Sequence, residues 1–179
     1  DLTRVKPSSE QLDLSSQLDG ILAGNDLAAD GTDARNYGGI DGLPEARALF
    51  AGVLQCKPED ILIGGNSSLS LMYTVLDVAM RFGLRGPDSA WRNNAQNRFL
   101  CPVPGYDRHF AVCEHLGIDM VPVPMLDTGP DMSVVEAMVA DDESIRGIWC
   151  VPRFSNPTGC VYDDDTVQRI AALANRAAG

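Results

Sequence analysis

The stretch Arg98–Pro124, RFLCPVPGYDRHFAVCEHLGIDMVPVP, decides the fold. RFLCPVP and GIDMVPVP are short apolar runs punctuated by Pro and Gly and read as strands, while YDRHFAVCEHLG between them reads as a helix. The same alternation extends in both directions. Upstream, EDILIGG gives a short strand, and SSLSLMYTVLDVAMRFG places Leu69, Met72, Leu76 and Met80 at helical spacing, with Gly83 at the helix end. Further upstream, Pro44 opens a helix that places Leu43, Ala46, Leu49, Phe50 and Leu54 roughly on one face and ends near Cys56. Downstream, SVVEAMVAD and DDTVQRIAALANRAA read as helices and IRGIWCVP as a strand. Strands alternating with helices of this length imply an α/β layer structure with a largely parallel sheet. Residues 1–35 have a different texture, polar and irregular, with a short helix after Pro7, and read as an arm; the layered part begins at 36.

Composition bounds the function. The 179 residues are 45% hydrophobic, 22% charged and 6% aromatic, enough for one sizeable core. Fourteen Lys and Arg against 25 Asp and Glu give a net charge of -11, which repels a phosphate backbone and leaves no basic stripe for nucleic acid or anionic lipid. No run of about 18 apolar residues occurs, and DLTRVKPSSE lacks the features of a signal peptide, so a cytoplasmic protein is expected. Five cysteines without a CxxC pair and two histidines predict free, mostly buried thiols and no metal site. Lysine is scarce: only Lys6 and Lys57 are present.

In open α/β sheets ligands bind outside the carboxyl ends of strands, so the loops after the apolar runs are where chemistry is sought. Gly64-Gly65-Asn66-Ser67-Ser68 leads into a helix, where free N–H groups, two hydroxyls and the helix dipole suit an anion. The same residues also make an ordinary glycine turn with Ser67 as N-cap. A Walker loop is excluded, because no Gly-Lys-Ser/Thr follows. Pro102–Phe110, PVPGYDRHF, stiffens the backbone before Tyr106 and His109 and can hold a ring face against a planar ligand; Tyr106 capping the core and His109 on a solvated helical turn is the alternative. In Ser155-Asn156-Pro157-Thr158-Gly159, Asn156 precedes a proline and is biased to an extended backbone that presents its amide at the sheet edge, although NPTG is also a plain turn.

Together NYGGIDGLPEAR, GGNSSL, PGYDRHF and SNPTG, in this order and spacing, resemble the pyridoxal-phosphate aminotransferases of the aspartate aminotransferase fold type, in the branch with a PGYDRHF segment. The resemblance covers nearly the whole chain. It implies a three-layer fold with a mixed, largely parallel sheet flanked by helices, here the N-terminal part of the cofactor-binding large domain over 36–179, with 1–35 as an arm or part of the small domain. It implies pyridoxal 5'-phosphate as cofactor and amino-acid and 2-oxo-acid substrates, aspartate- or glutamate-like. By the resemblance, Asn66, Ser67 and Ser68 bind the cofactor phosphate, Tyr106 stacks on the pyridine ring, and Asn156 donates its amide to the phenolic oxygen. His109 orients the aspartate that pairs with the pyridinium nitrogen. Tyr37 reaches across a homodimer interface to the partner's phosphate.

Departures set further expectations. Val5 stands where the family has a glycine near the substrate carboxylate. Arg108 and Arg153 match no substrate-binding arginine and read as surface residues. Neither Lys6 nor Lys57 matches the catalytic lysine, which in the family lies downstream of NPTG together with the pyridinium aspartate and the carboxylate-binding arginine. No catalytic residue is therefore expected within these 179 residues, which read as the cofactor-cradling half of a larger enzyme. Two other readings share the cofactor: an effector-binding domain of a transcriptional regulator, which predicts an attached basic helix-turn-helix, and a lyase.

Overall fold

Both apolar runs of the 98–124 stretch find partners in a ladder, in a computed structural model that describes residues 8–18, 20–21, 23–36 and 39–173. The chain forms two units, Asp1–Asn66 and Ser67–Gly179. In the first, helix α1 (Ser9–Asp13) starts at a reciprocal cap. The Ser8 hydroxyl accepts the Gln11 N–H at 3.3 Å, and the Gln11 side-chain oxygen accepts the Ser8 N–H at 2.8 Å. Helix α2 (Pro44–Leu54) carries its proline in the first turn, where a missing N–H costs nothing. Ala51 is its buried residue, and Leu49, Phe50 and Leu54 of the apolar face are exposed.

The strand expected over EDILIGG does not form. Pro58–Asp60 makes a short 3-10 turn and Ile61 is extended, at φ -110° and ψ 130°, but an extended segment becomes a strand only beside another. Here Ile63 donates its N–H to the Asp41 carbonyl at 2.9 Å, and no described strand lies alongside.

The second unit holds the layered structure. Helix α3 (Ser68–Arg81) begins at Ser67, whose hydroxyl accepts the Ser70 N–H at 3.3 Å, and ends at Phe82. Gly83 follows at φ +75°, with its N–H bonded to the Val78 carbonyl at 3.1 Å. A methyl group there would overlap the Gly86 carbonyl and stand 2.6 Å from the Ala90 nitrogen, in a backbone conformation that L-residues avoid. Gly83→Ala is expected to cost about 2 kcal/mol, read as a lower urea midpoint with an unchanged slope.

The sheet is built from β1 (Arg98–Val103), β2 (Asp119–Leu126), β3 (Gly129–Pro130) and β4 (Ile145–Ile148), in the order β3-β2-β1-β4. β1 pairs parallel to both β2 and β4, and β3 turns back antiparallel on β2. Helices α4 (Asp107–Leu116), α5 (Met132–Asp141) and α6 (Asp164–Ala172) connect and follow the strands. IRGIWCVP is strand only to Ile148. The Trp149 N–H makes one more bond, to the Leu100 carbonyl at 3.1 Å, before the chain leaves the sheet. The β2–β3 hairpin has no counterpart in the sequence reading, because two residues are too short to show a period.

Successive residues of a strand point to opposite faces, and β1 shows it directly. Phe99 joins Leu76, Val112, Cys113 and Ile118 against α3 and α4, whereas Leu100 joins Val123, Met132, Val135 and Leu173 against α5 and α6. A strand buried on both faces with parallel neighbours is the middle of a three-layer α/β fold, as expected from the sequence. The helix after β1 lies on one face and the helix after β4 on the other, so the chain parts above these two neighbouring strands. A crevice opens there, at the carboxyl ends.

Candidate cofactor site

The crevice is a cleft lined by the loop after β1 and the loop after β4, with Met125 from β2 at its side. Tyr106 and His109 come from the first loop and the start of α4, and Trp149, Ser155 and Asn156 from the second. The approach of the chain to Tyr106 is tight. A side chain at Gly105 would overlap the Pro102 carbonyl and stand 2.8 Å from the Phe110 ring. The second loop closes on itself: the Ser155 N–H donates to the Cys160 carbonyl at 2.8 Å and the Gly159 N–H to the Ser155 carbonyl at 2.5 Å. Gly159 takes φ +73° within it. Asn156 is thus held at the tip of a short ring of backbone bonds, half-buried, and its amide has no hydrogen-bond partner among the described residues.

His109 carries the electrostatics of the cleft. The residue is 4% exposed, yet its ring nitrogens bond to nothing among the described residues, and neither is sealed from the surface. Burial pushes the imidazole below its ordinary value of 6.5, favouring the neutral ring. The sign of the pH dependence follows. Above about 6.5 both folded and unfolded chains hold a neutral ring; as pH falls, the unfolded chain takes up the proton first, and stability is lost down to the depressed folded value. Urea midpoints between pH 7.5 and 5 are expected to fall, and His109→Gln to remove this component of the fall.

Aromatic rings surround this imidazole. Tyr106 meets it edge-on, with centroids 5.1 Å apart and planes at 90°. Trp149 stacks on it at 4.5 Å and 13°. The Trp149 indole N–H in turn points at Cys113 Sγ, 3.2 Å away, and Phe99 sits 5.1 Å from the indole. Hydrogen bonding with Cys101 pulls the Cys113 thiol down to about 7 against the effect of burial, and the Trp149 N–H acts in the same direction as Cys101. Tyr162, 7% exposed, closes the floor, and burial raises its phenol.

The structure therefore gathers Tyr106, His109 and Asn156 into one cleft. Ser67 and Ser68 are exposed at the start of α3 and do not line it; the Ser67 hydroxyl is engaged as the helix cap, also accepting from the Ser70 hydroxyl at 3.0 Å. Asn66 ends the first unit and is exposed. Tyr37, Val5 and Lys6 lie outside the described residues. Arg108 and Arg153 are exposed, as expected. All five cysteines are free, but only Cys101 and Cys113 are buried; Cys56 is exposed. Trp149 and Tyr162 were not among the expected site residues. An indole at the end of an apolar run, directly upstream of SNPTG, was the available signal for the first.

A model of the aspartate amino-transferase family matches residues 1–179. The chain belongs to the aspartate aminotransferase family. A putative aminotransferase of Mycolicibacterium smegmatis is 47% identical over 182 residues, covering 99% of this chain and 42% of that protein. An aspartate aminotransferase of Corynebacterium glutamicum is 44% identical over 178 residues, covering 99% of this chain and 41% of that one. Among solved structures, a putative aminotransferase from Corynebacterium diphtheriae superposes with a TM-score of 0.87 at 42% identity, over 96% of this chain and 42% of that one. The chain thus spans about two fifths of the length of these family members. No described helix is long and apolar enough to cross a membrane.

Proposed function

We propose that this chain is the cofactor-cradling part of a pyridoxal-phosphate-dependent aminotransferase that moves an amino group between an aspartate- or glutamate-like amino acid and a 2-oxo acid. The observation that carries it is the meeting of Tyr106, His109 and Asn156 in one cleft at the carboxyl ends of β1 and β4, in a chain of this family. The donor set fits the cofactor's ring end: an aromatic face, an uncommitted amide, and a buried imidazole with no hydrogen-bond partner among the described residues. When bound, the cofactor supplies an electron sink for negative charge at the substrate α-carbon.

The residues here do the holding. Tyr106 covers one face of the planar ring. The Asn156 amide donates to an anionic ring oxygen, in a cleft where a hydrogen bond counts for more than in water. His109, kept neutral by burial, orients a carboxylate toward the ring nitrogen. Ser67, Ser68 and the backbone at Asn66 take the phosphate at the start of α3, where N–H groups and the helix dipole favour an anion. Tyr37 reaches the phosphate of a second subunit in a homodimer. We assign 1–35 to an arm or the small domain and 36–179 to the large domain, and the lysine that shuttles the proton to a region outside these residues. The free thiols support a cytoplasmic setting.

The test is direct. Full-length protein mixed with aspartate and 2-oxoglutarate is expected to form glutamate, and failure with every amino donor tried would sink the proposal.

A further inference from the structure

His109 can orient a neighbour only if its own ring is held, and no hydrogen bond among the described residues holds it. Its backbone N–H bonds to the Tyr106 carbonyl at 3.0 Å, which fixes the main chain and not the ring. Two aromatic rings contact it: Tyr106 edge-on at 5.1 Å and 90°, and Trp149, stacked nearly parallel at 4.5 Å and 13°. An indole is itself free to tilt about its χ angles, but here its N–H is directed at Cys113 Sγ at 3.2 Å, and Phe99 packs against it at 5.1 Å. Cys113 is fully buried on α4, the helix that also carries His109. The contacts therefore form a closed loop: α4 supplies the imidazole and the thiol one helical turn apart, and the indole from the end of β4 lies between them. Stacking covers one face of the imidazole with the indole and keeps its edge, where both nitrogens sit, out of the Trp149 ring face.

We propose that Trp149 is the positioning residue of this site: clamped by Cys113, it sets the plane of His109 and so the direction in which the imidazole presents its nitrogens. This rests on the cofactor reading for its consequence but not for its geometry, and the two are separable by experiment. In the protein without cofactor, the indole places the carbon-bound ring protons of His109 in its shielding zone, so their NMR signals lie upfield. The signals that vanish in His109→Gln are those of His109.

Trp149→Leu is expected to return the His109 signals downfield and to weaken binding of pyridoxal 5'-phosphate by the full-length protein about tenfold. Trp149→Phe, which keeps a stacking ring without the N–H, should retain part of the upfield displacement and recover most of the affinity. Cys113→Ala should move the indole N–H signal while preserving the stack in part. Where Trp149→Leu does not fold, as judged by far-ultraviolet circular dichroism, the Phe and Cys113→Ala variants decide. His109 signals unmoved by loss of the indole, or cofactor affinity unchanged in a variant whose His109 signals have moved, would overturn the proposal. Wild-type protein that binds no pyridoxal 5'-phosphate would overturn the cofactor reading instead, and the ring signals would still settle whether Trp149 sets His109.

Discussion

Asn156→Ala is expected to lower kcat/KM of the full-length enzyme, with aspartate and 2-oxoglutarate, by about a hundredfold. A positioned donor aimed at developing or resident negative charge in a cleft is worth roughly 10²–10³ in rate when removed. The amide of Asn156 is such a donor under the proposed function, and no other side chain at the tip of the 155–160 loop carries an N–H. Folding should hardly notice. The side chain is half-buried and makes no hydrogen bond among the described residues, so truncation leaves no buried partner unsatisfied. The loop is closed by the backbone bonds of Ser155, Gly159 and Cys160, which alanine retains. A thermal midpoint within a degree or two of wild type, beside the lost activity, is the expected pairing. A large drop in the midpoint would mean that Asn156 holds the loop and does not serve the ligand.

Leu100→Ala is expected to have the opposite profile, with a loss of about 3 kcal/mol in stability. Leu100 is wholly inaccessible, at the centre of the sheet, and its side chain packs among Val123, Met132, Val135 and Leu173. Truncating a buried leucine removes its transfer free energy and leaves a cavity, costing about 2–5 kcal/mol in total. The site is badly placed to collapse, because β1 is bonded to strands on both sides and cannot shift toward the gap without breaking ladder bonds. Urea titration reads the loss as a fall of one to three molar units in the midpoint, taking a slope of about 1–3 kcal/mol/M. Leu100→Met, which nearly conserves volume, should cost less than about 1.5 kcal/mol and so separate cavity formation from damage to the strand.

The parts of the fold that were legible are those in which local periodicity and tertiary placement agree. RFLCPVP and GIDMVPVP read as strands because each is apolar on both sides and ends in a breaker, and both lie in the sheet. EDILIGG has the same local texture but no described strand beside it, and no pattern within seven residues can reveal whether a partner lies alongside. The cleft was legible in Tyr106, His109 and Asn156 because turn chemistry marks the loops after strands and the order of the motifs identifies them. Trp149 was not, since an aromatic residue ending an apolar run looks like core. Its meaning depends on a histidine on a different element, brought over by the parallel pairing of β1 with β4. Ser67 illustrates a residue with two legible roles: the cap is observed in its hydrogen bonds, and the phosphate contact stays a proposal.

The alternation along β1 has a practical consequence for combining substitutions. Leu100 sits on the α5–α6 side, in a cluster none of whose residues lines the cleft, and Asn156 lies outside that cluster. Asn156 makes no side-chain hydrogen bond among the described residues, so the free energies of changes there and in this cluster should sum. Stabilising replacements among Val123, Val135 and their neighbours can therefore be screened in a variant already impaired at Asn156, and the gains carried over unchanged to the active protein.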